Sequence, residues 1–148
     1  MKILVLSDSH FNNIKIDFTK YDYVIHCGDY GLSKKHLKQN NVYYVKGNCD
    51  LAGEKELVVT INNKKIFITN GDKYNVKTSY NNLIYKALSI NANICFFGHT
   101  HRPDMFILDD IIYINPGPYQ DGYYVEITDD NILFYMNDRI YKNFEFKW

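Results

Sequence analysis

Four short clusters of acids, amides and imidazoles recur along the chain: Asp8-Ser9-His10, Gly28-Asp29, Gly47-Asn48-Cys49-Asp50 and Gly98-His99-Thr100-His101. Each follows an apolar run, in turn Ile3 to Leu6, Tyr23 to Cys27, Val42 to Val45 and Ile94 to Phe97. The plan repeats: a short strand, a tight turn, then side chains that bind cations. Carboxylates, an amide and neutral imidazoles together suit Mn, Fe, Zn or Ni better than Mg or Ca. One Asp-x-His pair alone is equally a turn with a solvated histidine, so it is the ordered set that carries weight.

For these groups to act together, four strand ends must converge. Ile3 to Leu6 has no polar residue, as expected of a strand covered on both faces. Extended backbone through Asp8-Ser9-His10 would point both ligands to one side. Glycine before the other ligands lets the chain turn off its strand and approach an ion without a Cβ in the way. The crevice beyond the carboxyl ends of parallel strands is where ligands sit in open α/β sheets.

The remaining elements follow from pattern. Leu32 to Gln39 predicts a short helix with Leu32 and Leu37 inward, ended by Asn40-Asn41. Strand, helix, strand alternation over the first third argues for parallel, right-handed crossovers. Glu56 to Ile61 and Lys65 to Thr69 flank a polar tip, Asn62-Asn63-Lys64, that reads as a hairpin turn. Tyr80, Leu83, Ile84, Ala87 and Leu88 predict an amphipathic helix from about Lys77 to Ile90. Beyond Pro103 the strands Met105 to Leu108, Ile111 to Ile114, Tyr123 to Thr128, Ile132 to Met136 and Ile140 to Phe146 read as an antiparallel meander. The fold class expected is α/β (α+β), with two sheets face to face and helices outside.

The 148 residues are expected to form one domain, 1–148, large enough to bury about 68 to 70% of its unfolded surface. Lys plus Arg and Asp plus Glu are both 17, so no global field draws nucleic acid or an anionic membrane. Three cysteines, an odd number near strand ends, point to reduced thiols and a cytoplasmic protein. The amino terminus enters a strand at once, unlike a signal peptide, and no apolar run is long enough for a membrane span.

Taken in order, Asp8-Ser9-His10, Gly28-Asp29, Gly47-Asn48-Cys49-Asp50 and Gly98-His99-Thr100-His101 resemble the calcineurin-like metallophosphoesterases, most of all the small bacterial and archaeal phosphodiesterases without added domains. The resemblance covers nearly the whole chain. It implies a four-layer αββα sandwich with a two-metal centre between the sheet ends. It makes Asp8, His10 and His101 ligands of one metal, Asp29 the bridging carboxylate, and Asn48 and His99 ligands of the other. Family members usually carry a His-Gly-His pattern where this chain reads Asn70-Gly71-Asp72, which leaves Asn70 as an amide ligand and weakens the second site. A second departure is Asn115-Pro116-Gly117-Pro118, where the family usually continues Asn-Pro-Gly-Ser and so supplies a hydroxyl absent here.

The implied cofactors are two divalent ions, Mn first, with Ni, Fe, Zn or Mg as alternatives. The implied reaction is in-line attack of a metal-bridging hydroxide on a small phosphate ester, with Asp29 and Asn48 catalytic and Asn48 and Arg102 contacting substrate. Asp50 alone is a poor acid for the leaving group. No partner beyond a small substrate is implied, and a homodimer is one assembly left open. The alternatives are a catalytically weak or inactive scaffold similar to the eukaryotic retromer subunit on this fold, and a phosphomonoesterase. His26 reads as a satisfied core residue, His36 as solvated, and Cys49 as a small buried neighbour of Asn48. The late Tyr and Phe residues read as strand packing. Arg102 and Lys73, charged and on loops, are as readily solvated as bound to phosphate.

Overall fold

Ile3–Leu6 forms β1, and all four of its residues are fully buried. In the computed structural model, which describes residues 1–148 apart from the side chain of Leu32, this strand lies inside a six-stranded sheet. Parallel to it run β2 (Tyr23–His26) and β3 (Val42–Tyr44). On its other side lies β9 (Tyr123–Ile127), antiparallel, followed by β10 (Asn131–Met136) and β11 (Arg139–Glu145). The second sheet has the order β4 (Glu56–Ile61), β5 (Lys64–Thr69), β6 (Ile94–Phe96), β8 (Ile111–Asn115) and β7 (Asp104–Leu108), with β5, β6 and β8 parallel.

Strand alternation divides the apolar residues among three layers. Ile3 and Val5 pack between the sheets with Ile25, Ile66, Ile68, Phe96, Ile114 and Val125. Leu4 and Leu6 face outward, where Ile14, Phe18, Tyr21 and Leu37 cover them. Phe67, Cys95 and Tyr113 on the far sheet are covered by Val76, Leu83 and Ala87. A strand loaded on both faces needs apolar residues at every position, and each such side chain contributes about 1.5–3 kcal/mol. The architecture is the expected α/β four-layer sandwich, with thin outer layers. α1 (Asn81–Ser89) is the one α-helix among the described residues; single 3-10 turns at Phe18–Lys20 and Gly31–Lys35 cover the other face.

Three expectations are corrected here. The helix expected from Lys77 starts at Asn81, because Thr78 and Ser79 bond back to Asn75: Thr78 N and Ser79 N donate to its carbonyl and Thr78 Oγ1 to its side chain. Such local bonds compete with a helix. The helix expected over Leu32 to Gln39 is a 3-10 turn ending at Lys35, its Ser33 hydroxyl tied to the Asn12 carbonyl; Leu37 is buried as expected, and the inward placement of Leu32 lies outside the described residues. The late strands form no single meander: β7 and β8 close the second sheet, and the chain crosses at Pro116-Gly117-Pro118 to build β9, β10 and β11 onto the first. The alternation of those strands carries no sign of which sheet they join. The hairpin tip Asn62-Asn63 holds both residues at positive φ, the conformation of a tight two-residue turn.

Candidate metal centre

Two sets of three parallel strands, β1, β2 and β3 in one sheet and β5, β6 and β8 in the other, are followed by the loops that carry Asp8, His10, Asp29, Asn48, Asn70, His99 and His101. The loops hold each other through the backbone. Asp8 N donates to the Gly28 carbonyl at 3.0 Å, His10 N to the Asp29 carbonyl at 2.9 Å, and Gly98 N to the Asn70 carbonyl at 3.0 Å. From the sheet crossover, Tyr119 N and Gln120 N reach the carbonyls of Ser7 and Asp8 at 2.8 and 3.2 Å.

The glycines are required by this closeness. A Cβ on Gly47 would stand 2.1 Å from Asp29 Oδ1, and one on Gly98 would stand 1.9 Å from Ser7 Oγ and 2.8 Å from Asp8 Oδ2. The extended path expected for Asp8-Ser9-His10 is not what the chain adopts. Asp8, His10, Asp29, His99 and His101 all have positive φ, between 43° and 70°. That conformation costs a residue with a Cβ on the order of 1 kcal/mol or more, and it turns each side chain inward immediately off its strand.

Asp8 is the buried centre. Its Oδ2 accepts from Ser7 Oγ at 2.6 Å and from His99 N at 3.1 Å. Its Oδ1 is buried with no hydrogen-bond partner. Around that oxygen stand His101 Nε2 at 3.3 Å and His10 Nε2 at 3.8 Å, the two imidazole nitrogens 3.3 Å apart. Ligand atoms of all three residues lie within 4.8 Å of one another. Burial pushes the Asp8 carboxyl up to about 6, against the Ser7 hydrogen bond that favours the charged form.

Asp29 and Asn70 stand beside this trio. Asp29 is buried; Cys49 N donates to its Oδ1 at 2.9 Å, and Asn70 Nδ2 lies 3.5 Å from its Oδ2. Asn70 is fully buried, gives its other bond to the Cys27 carbonyl at 2.9 Å, and keeps its Oδ1 buried without a partner. His99 is half-buried; burial first, and then the ammonium of Lys77, lower its basicity, while Asp29 and Asp72 act against them. Asn48 is exposed on the loop that carries Cys49. Arg102 is exposed, its backbone N–H donated to Thr100 Oγ1 at 3.2 Å.

Two orphaned oxygens in a buried cage of oxygen and nitrogen donors fit divalent cations. A buried acceptor without a donor costs about 1–3 kcal/mol, and an ion removes that cost. Cys49 is corrected: its side chain is exposed, because its N–H, held by Asp29, turns the residue outward. His26 is fully buried and satisfied. Gly28 N donates to its Nδ1 at 3.1 Å, so Nε2 carries the proton toward Ser9 Oγ at 2.9 Å, and Ser9 donates to the Tyr30 carbonyl.

Sequence reasoning missed the residues that aim the ligands. Ser7 fixes which Asp8 oxygen stays free. Asn115 Nδ2 bridges the Gly98 carbonyl and Thr100 Oγ1 at 3.2 and 2.9 Å. Asp50 accepts from Gly47 N at 2.8 Å and from Tyr30 N and Gly31 N at 3.3 Å, clasping two site loops. The acid three residues after Gly47 is the signal in the sequence for this clasp.

Oxygen and imidazole donors at the strand ends of a four-layer sandwich define the class of metal-dependent phosphoester hydrolases. The chain belongs to the calcineurin-like phosphoesterase superfamily, whose domain model matches residues 1–126. It is 34% identical over 125 residues to a probable metallophosphoesterase of Bacillus subtilis, an alignment covering 79% of this chain and 74% of that one. A Streptococcus pneumoniae protein described as a predicted phosphoesterase superposes with a TM-score of 0.81 at 28% identity, over 97% of each chain. An archaeal phosphodiesterase superposes with a TM-score of 0.66 at 25% identity, over 99% of this chain and all (100%) of its own. No helix is long and apolar enough to cross a membrane.

Proposed function

We propose that this chain hydrolyses phosphodiesters with a pair of divalent cations, manganese first among them. Asp8, His10 and His101 would hold one ion, Asp29 would lie between the two, and Asn48, Asn70 and His99 would hold the other. Bound in this way, divalent ions lower the pKa of water and neutralise charge on phosphoryl oxygens. The observation that carries the reading is the unpartnered, buried Asp8 Oδ1 facing two imidazole nitrogens.

The chain's own groups supply position and access. Ser7 Oγ and His99 N occupy Asp8 Oδ2 and leave Oδ1 to the site. Asn48 is exposed on the loop after β3 and would donate to a phosphoryl oxygen. Asp50 has both carboxylate oxygens taken up by backbone N–H groups, so it serves the loop and not the leaving group. Water is then the proton donor, which favours esters with good leaving groups. Residues adjacent in the chain to the ligands line two clefts: Phe11, next to His10, lines one, and Thr100 and Arg102, next to His99 and His101, line the other. Open space beside the ligand loops suits the second ester arm of a diester.

Mn-loaded protein should turn over bis-p-nitrophenyl phosphate faster than the p-nitrophenyl monoester. Turnover no greater than that of Asp29→Ala with Mn, Ni, Co and Mg would move the assignment to a binding scaffold, which the amide at position 70 and Pro118 favour. A faster monoester would make it a phosphomonoesterase.

A further inference from the structure

The two clefts lined by chain neighbours of the ligands differ in charge. The one beside Phe11 has a volume of about 610 Å³ and carries Lys15 against Asp121 and Asp138, with the amides of Asn12 and Gln120. The other, about 500 Å³, is lined by Lys77, Thr78, Ser79, Tyr80, Thr100 and Arg102, with Val76 the one apolar residue: two cations, four hydroxyls and no carboxylate. We propose that this second cleft is a subsite for a phosphate group other than the one cleaved, so that the substrate class is a phosphate ester bearing at least one further phosphate. The cleaved group belongs to the function proposed above, on which this inference rests.

Position and freedom support it. Thr100 lies between His99 and His101, and Arg102 directly follows them, so this wall of the cleft is continuous with the ligands. Lys77 lines the same cleft as Thr100 and Arg102. The Arg102 backbone is pinned by its bond to Thr100 Oγ1, whose oxygen is itself held by Asn115 Nδ2. The guanidinium therefore leaves from a fixed point. Among the described residues, no carboxylate lies within 4.0 Å of the Lys77 or Arg102 charge, whereas Lys73 and Lys86 are both spent on Glu56. Of the nearby acids, Asp104 accepts the Tyr80 hydroxyl at 2.9 Å. Thr78 and Thr100 give their hydroxyl protons to Asn75 Oδ1 and to the Arg102 carbonyl, which leaves a guanidinium, an ammonium and the Ser79 hydroxyl as the donor set that recognises phosphate.

The test has a binding arm and a turnover arm. In the first, metal-free protein freed of chelator is titrated with inorganic pyrophosphate and followed by amide NMR. Saturable shifts at residues 76–80 and 100–102, lost in Lys77→Ala and in Arg102→Ala and weakened by added salt, are expected. Absence of saturation, or shifts that survive both substitutions, would overturn the subsite.

In the second arm, Mn-loaded protein is given two matched esters, thymidine 5′-p-nitrophenyl phosphate with and without a 3′-phosphate. The ratio of their kcat/KM values should favour the added phosphate at least tenfold and fall to within twofold in Lys77→Ala/Arg102→Ala. Because it is a ratio within one protein, a general loss of activity does not move it. A wild-type ratio near one would overturn the proposal for turnover. If neither ester nor bis-p-nitrophenyl phosphate reacts, the hydrolytic reading fails, and the pyrophosphate titration alone decides the subsite.

Discussion

His101 Nε2 stands 3.3 Å from Asp8 Oδ1, an oxygen buried in the protein and satisfied by no hydrogen bond. The pair pulls in two directions: it costs the metal-free fold and serves the metal-bound one. Asp8→Asn removes the buried charge, so metal-free protein at pH 8 should gain stability, on the order of 1 kcal/mol. The same variant should lose the Mn-induced rise in Tm, which for wild type at a hundredfold excess over Kd corresponds to about 2.7 kcal/mol. Thermal melts with and without Mn check both signs.

Asn70 offers one amide oxygen where the family resemblance implies an imidazole. Its Nδ2 is committed to the Cys27 carbonyl and its Oδ1 has no partner, so one neutral oxygen is all it can give an ion. Metal counting after dialysis against low micromolar Mn should find fewer than two ions per wild-type chain. Asn70→His should raise that number, and Asn70→Ala should lower it to about one. Equal occupancy in all three proteins would mean that position 70 holds no metal.

Gly47 is tightly enclosed. With Asp29 Oδ1 at 2.1 Å and Asp29 N at 2.6 Å from the position of a Cβ, Gly47→Ala must displace either the loop or the carboxylate. Urea unfolding of the metal-free protein should show a loss of about 2–4 kcal/mol, beyond what overpacking a tolerant site costs.

His26 makes the fold acid-sensitive. Burial depresses its pKa to about 3, far below the ordinary value of 6.5, and both ring nitrogens are engaged in the neutral form. Between pH 6.5 and about 3 the unfolded chain binds a proton that the folded chain refuses. Stability therefore falls as pH drops through that window, by up to about 1.4 kcal/mol per pH unit from this residue. The contribution is absent above pH 6.5. His26→Gln should flatten the slope relative to wild type between pH 6 and 4.5, where the carboxylates common to both proteins cancel in the difference.

The strands and the ligands were legible because each rests on a local rule. Ile3 to Leu6 is apolar at every position since both faces are covered, and Gly28, Gly47 and Gly98 precede ligands since loops meet there without room for a Cβ. What escaped sequence reasoning depends on contacts distant along the chain. Asp8 and His10 lie at positive φ because Gly28 and Asp29 fix their N–H groups, which no residue near position 8 announces. Cys49 reads as buried from composition and is exposed because Asp29 takes its N–H. The start of α1 moved by four residues because Asn75, six positions upstream of Asn81, captures Thr78 and Ser79. The crossing from β8 to β9 is encoded only in which core the two strands complete.

The most direct test is anomalous diffraction at the manganese edge from crystals grown in millimolar Mn. Peaks at ion-ligand distance from Asp8 Oδ1, His10 Nε2 and His101 Nε2, with a second, weaker peak reached by Asp29 and Asn70, are the predicted result. A crevice with no anomalous peak, in crystals whose protein binds Mn elsewhere or not at all, would contradict the account.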